Sequence, residues 1–178
     1  MIGAISEITM QSLKEQHEIT IADEFLKTLG FRAELIRHGK DGIEPDVIYL
    51  VAAQTVGIEI ATAYYNEAQA KAEWEVARGI TKCDSHGIVK MGLVIEPNKL
   101  ISAALQREID EKCSTGYSGV DVVWLCIYQH APLADVWETE NSIITLKIPS
   151  KHTFENLSRL LRKSPRRWRI SCVRFAAC

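Results

Sequence analysis

The chain has 178 residues, 47% of them hydrophobic and 25% charged, with a formal net charge of −2. These proportions are ordinary for a soluble globular protein and predict a single domain over residues 1–178. The longest wholly apolar runs, "VIYLVAA" and "VVWLCIY", are too short to cross a bilayer, and "MIGAISEITM" lacks a basic leader, so the expectation is a cytoplasmic protein without a membrane partner.

In chain order, apolar residues from Ser6 to Leu29 recur at helical spacing, with a break expected near His17 and a stop at Gly30. "FRAELIRHG" reads as a first strand centred on Leu35 and Ile36. After "GKDG", the β-rich runs "DVIYLVA" and "VGIEIAT" are close enough to form an antiparallel hairpin. "YYNEAQAKAEWEVARG" is a predicted helix ending at Gly79, opened by Tyr64 and Tyr65. "IVKMGLVIE" reads as a strand stopped by Pro97. Asn98 is the expected N-cap of "KLISAALQREIDEKC", with Leu100, Ala103, Ala104 and Ile109 on its buried face. "GVDVVWLCIYQ" is apolar enough for a central strand. "SIITLKI", "HTFENLSRLLRK" and "RWRISCVRF" follow as strand, helix and strand. The expected class is α/β, a mixed central sheet flanked by helices.

The basic residues are unevenly placed. Eight of the 21 lie between Lys151 and Cys178, where Glu155 is the one acid. Arg166, Arg167 and Trp168 in this tail are candidates for phosphate contact and base stacking. A solvated helix end followed by a charged edge strand explains the same residues. The five cysteines are scattered without a CxxC pair, which suits reduced thiols; Cys83 and His86 have no second ligand pair to make a structural zinc site. The chain carries no Gly-rich nucleotide loop and no G-x-S-x-G elbow.

Asp46 and Glu59 carry the most chemistry. Directly opposite one another in a hairpin turning at Ala52–Ala53, they would point to one side of the sheet. Glu59 interrupts "VGIEIA", so a metal, a lysine or solvent is expected beside it to offset desolvation. The plainer alternative is a half-exposed strand with Glu59 in water.

"EPD" followed by "GIEIA" resembles the PD-(D/E)xK nuclease superfamily, over roughly Leu13 to Gln129. The resemblance implies a restriction-endonuclease-like αβββαβ core, here with C-terminal strand-helix-strand additions. It also implies Mg²⁺ (or Mn²⁺) bound by Asp46 and Glu59, and DNA as substrate. Ala61 stands where the motif lysine belongs. In some members that lysine has migrated, and Lys112 is the first candidate here, ahead of Lys71 and Lys82. Lys112 could equally be a helix cation four residues after Glu108, a pairing worth about 0.2–0.5 kcal/mol. Glu18 suits the family's first-helix glutamate, with Glu15 and Glu24 as neighbours, and Gln106 resembles a glutamine that touches substrate or metal. Two functions remain open: a Mg²⁺-dependent deoxyribonuclease, with a homodimer or partner supplying specificity, or an inactive nuclease-like fold that binds nucleic acid or protein.

Overall fold

Ile21, Ala22, Phe25 and Leu26 fall on one helical stripe, and a helix buries all four. A computed structural model describes residues 10–64, 67–77, 79–80, 96–130, 145–149, 154, 158–160 and 172–174. In it, α1 spans Met10–Leu29 without the break expected near His17. The His17 ring instead meets Trp74 and Tyr128 edge-on. Gly30, at φ 76°, ends the helix: its N–H bonds to the Lys27 carbonyl, and the Phe31 N–H reaches back to Leu26.

Strands β1 (Ala33–His38), β2 (Val47–Val51), β3 (Gln54–Tyr64) and β4 (Val122–His130) form a sheet in that order. β1, β2 and β3 run antiparallel, while β4 is parallel to β3. The β2–β3 hairpin turns at Ala52 and Ala53, which both have positive φ (47° and 67°), as a type I′ turn requires. Val47 pairs with Ile58, so the register is the one that brings Asp46 and Glu59 level. β1 is centred on Leu35 and Ile36 as expected. Both are exposed, because β1 is an uncovered edge strand with a bulge at Ile36.

The parallel β3–β4 pair needs a long crossover, which includes α2 (Glu67–Ala77) and α3 (Pro97–Cys113). Tyr64 belongs to the end of β3 and does not open α2. Side chains alternate along β3 and β4. Val56, Ile58, Val122, Trp124 and Cys126 pack with α1, while Ala61, Ala63, Val123, Leu125 and Ile127 pack with α3. The sheet therefore has a helix on each face, a mixed α/β arrangement.

The buried stripe of α3 is Ile101, Ala104, Leu105, Ile109 and Cys113; Leu100 and Ala103 face outward, contrary to expectation. The larger apolar volume of Ile101 and Leu105 decides the helix's rotation. Its N-cap is Glu96, before Pro97, and not Asn98. β4 is last in the sheet order rather than central, yet it is buried on both faces and Cys172–Arg174 lies alongside it.

The C-terminal part also differs from the sequence reading. Residues 145–149 are irregular, because the Gln106 side chain, not a neighbouring strand, takes both the N–H and the carbonyl of Lys147. Ser158–Leu160, expected to be helical, is β5, paired antiparallel with β6 (Cys172–Arg174). Strand pairing there overrides local helical preference. The predicted strand at 88–95 lies outside the described residues, as do Cys83 and His86. Among the described residues no helix is long and apolar enough to cross a membrane.

Two alanines in left-handed conformation at the hairpin tip carry a local cost of about 1–2 kcal/mol each. The pair Ala52→Asn with Ala53→Gly matches the turn's chemistry. It is expected to raise stability by about 1 kcal/mol, seen as a Tm increase of about 2–4 °C in a thermal melt.

Candidate functional site

Pro45 is seated between two glycines. A methyl group at Gly57 would collide with the Pro45 ring, and one at Gly39 would collide with the Pro45 carbonyl. Only hydrogen side chains allow β1, β3 and the start of β2 to close this tightly. The Gly39 N–H donates to the Asp46 carbonyl at 3.0 Å, which fixes the next residue. The Asp46 side chain then crosses to β3, where Oδ2 accepts the Ile60 N–H at 2.8 Å. It fills a ladder position that β2, starting at Val47, leaves open.

Glu59 lies on the α3 face, where Ile58 and Ile60 do not. It is 5% exposed, and Lys112 Nζ comes within 2.7 Å of its Oε1. Lys112 continues the buried side of α3 past Ile109 and leaves Glu108 to Arg107. Removing one partner of a buried ion pair costs about 3–5 kcal/mol, less here because the Lys112 side chain is 22% exposed. Burial raises the Asp46 carboxyl above its usual range, against the pull of the Ile60 N–H. Glu59 is raised by burial and then by the Asp46 charge, against Lys112. Burial would lower Lys112, but Glu59 and Asp46 raise it. The ammonium is therefore firmly charged. Burial and then the Glu59 charge push the adjacent Tyr117 phenol up.

Glu18 extends the buried stripe of α1 one turn beyond Ile21 and Ala22. Its Oε1 lies 3.3 Å from Lys14 Nζ and its Oε2 lies 3.9 Å from His38 Nδ1. Burial first, and then the Asp46 charge, push its carboxyl up to about 7. Glu18, Asp46, Glu59 and Lys112 all line one cavity of about 290 Å³, with Lys14, His38, Lys40 and Tyr117 among its other walls. The loop from Gly39 to Glu44 closes one side. Arg37 grips both Glu44 oxygens, at 2.6 and 2.8 Å, and holds that carboxyl down to about 2. The Ser118 N–H ties the loop to the approach of β4 through the Ile43 carbonyl.

The cavity thus gathers Asp46, Glu59, Lys112 and Glu18 from four elements. Glu15 also lines it, whereas Glu24 is exposed elsewhere. Gln106 is not brought here; it clamps Lys147, and Lys71 is exposed beside Glu75. Lys82, Arg166, Arg167 and Trp168 lie outside the described residues. Sequence reasoning passed over His38, Lys14 and Tyr117. Lys14 alone had a signal, four residues before Glu18.

Carboxylates outnumber lysines around the cavity, and Asp46 and Glu59 lie level on adjoining chain segments. An oxygen-seeking dication suits that donor set, since Mg²⁺ commonly takes one or two carboxylates and fills its remaining positions with water and substrate. Among the described residues no three His, Cys, Asp or Glu side chains are grouped to hold a metal ion. No family model, no curated protein and no solved structure matches this chain.

Glu18 has its folded-state value raised from 4.5 to about 7. Its contribution to stability is full below about pH 4.5 and is lost as the pH rises through about 7. Denaturant melts across that interval should show wild type losing stability relative to Glu18→Gln. Parallel pH dependences in the two proteins would contradict the assignment.

Proposed function

We propose that the protein is a divalent-metal-dependent phosphodiesterase acting on DNA, of the PD-(D/E)xK type, with its motif lysine supplied by α3. The observation that carries this reading is the 2.7 Å approach of Lys112 Nζ to Glu59 Oε1, in the cavity that Asp46 shares. Ala61 removes the lysine from β3, and Lys112 returns an ammonium to the same carboxylate from the opposite element. The helix, three strands, helices and strand of the chain come in the order that such a core requires.

In this reading Asp46 and Glu59 hold Mg²⁺ or Mn²⁺, which when bound offsets charge on the phosphate and acidifies a water. Lys112 offsets part of the cost of burying the Glu59 charge and has N–H donors left for a water or a phosphate oxygen. The Pro45 seat and the Ile60 N–H keep Asp46 from turning away. Lys14 and Lys40 stand where an incoming phosphate chain needs cations. A purely binding role needs no ammonium beside the buried acids, so Lys112 weighs against it.

Purified protein with Mg²⁺ or Mn²⁺ should cut single-stranded, duplex or branched DNA, read as product length on a denaturing gel. Asp46→Ala and Glu59→Ala should abolish cutting, and Lys112→Met should reduce it about 10²–10³-fold, as loss of a preorganised charge-stabilising donor does. Undiminished cutting by the two alanine variants would remove these acids from the mechanism.

A further inference from the structure

His38 stands in the cavity without a part in the reading above. It closes β1 opposite Val47, and the bulge at Ile36 decides which way it faces. Without the extra residue, His38 would lie level with Asp46 and share the α3 face. With it, His38 shares the face of Val47, the one α1 covers. There its Nδ1 meets Glu18 Oε2 at 3.9 Å. Its other nitrogen, Nε2, is buried and has no hydrogen-bond partner among the described residues. Buried nitrogens are nearly always satisfied, and Nε2 of this cavity-lining ring has its hydrogen-bonding capacity left for a water or a bound group.

The cavity therefore has two sides. Asp46, Glu59 and Lys112 come from the α3 side of the sheet. Glu18 and His38 come from the α1 side, His38 at the end of β1 beside the start of β2. A displacement at phosphorus needs its entering and leaving oxygens on opposite sides, and this site offers an ammonium on one and an imidazole on the other.

We propose that His38, oriented by Glu18, is a catalytic residue that donates its Nε2 proton to the leaving oxygen of the cleaved phosphodiester. This rests on the phosphodiesterase reading. A water oxygen bonds to phosphorus as the bond from phosphorus to the ester oxygen breaks. The water's surplus proton passes to bulk solvent, the imidazolium proton passes to the departing oxygen to give an alcohol, and solvent reprotonates the ring. Glu18 holds the ring by its other nitrogen, as a carboxylate orients a catalytic histidine elsewhere. The 3.9 Å separation is long for a hydrogen bond, as such contacts often are before substrate closes the site.

The test compares two leaving groups. DNA expels an alkoxide that needs a proton, whereas bis(p-nitrophenyl) phosphate expels a stable phenolate that does not. With Mg²⁺ or Mn²⁺, His38→Gln should lose about 10²–10⁴-fold on DNA, with a loss on the aryl ester smaller by about tenfold or more. Added imidazole should restore DNA cleavage to His38→Ala. Equal losses on both substrates, or unchanged DNA cleavage, would overturn the role of His38 and leave the phosphodiesterase standing. A wild-type protein that cuts neither substrate would instead sink the phosphodiesterase reading, and this assignment with it.

Discussion

Two carboxylates buried side by side repel each other and resist ionisation, and the site is organised by how that strain is relieved. Asp46 and Glu59 each lie above their usual carboxylate range, mainly through burial. The relief is partial. A backbone N–H meets Asp46, and the Lys112 ammonium and the Tyr117 hydroxyl meet Glu59. Buried pairs of this kind rarely add stability over an apolar core, so their presence at the end of an otherwise apolar strand argues for use rather than for folding. Lys112 answers for one negative charge. Lys14 stands beside the buried Glu18, and a backbone N–H meets Asp46.

The backbone was shaped around those acids. Gly39 and Gly57 contribute nothing to the core by themselves, yet each stands where any larger residue would displace Pro45. The proline then fixes the turn into β2, and Asp46 inherits its direction. Glu44 works on the same loop from the other side, through its two bonds to Arg37 and one from the Lys40 N–H. The wall of the cavity is accordingly a short, braced loop between β1 and β2. Its rigidity lets two acids be held close without a disulfide or a large hydrophobic cap.

The hairpin was legible because it depends on parity. "VIYLV" is apolar throughout, so Glu59 in "VGIEIAT" carries the polar interruption, and a two-residue turn at Ala52–Ala53 follows from the short gap. Lys112 was legible only as a candidate. Taking Leu100 and Ala103 as buried set the helix in the wrong rotation, whereas the stripe through Ile101, Leu105 and Ile109 leads to it directly. His38 was not legible at all. A single extra residue at Ile36 reverses the face of all that follows in β1, and nothing in "ELIRH" marks where a bulge falls. The irregular segment at 145–149 was hidden for a similar reason. Its partner is one side chain, Gln106, and not a strand that periodicity could reveal.

A bulge at an edge strand is commonly a defence against pairing with another chain, and β1, exposed along its length, needs one. Here the same irregularity has a second consequence. By rotating the end of β1, it transfers His38 from the side of Asp46 to the side of Glu18, and it leaves Arg37 free to grip Glu44. Had β1 stayed regular, its last two side chains would exchange faces, the Gly39–Glu44 loop would lose its clamp, and the histidine would crowd the acids instead of facing them. The edge that keeps the sheet from extending is thus also what gives the cavity two chemically different walls.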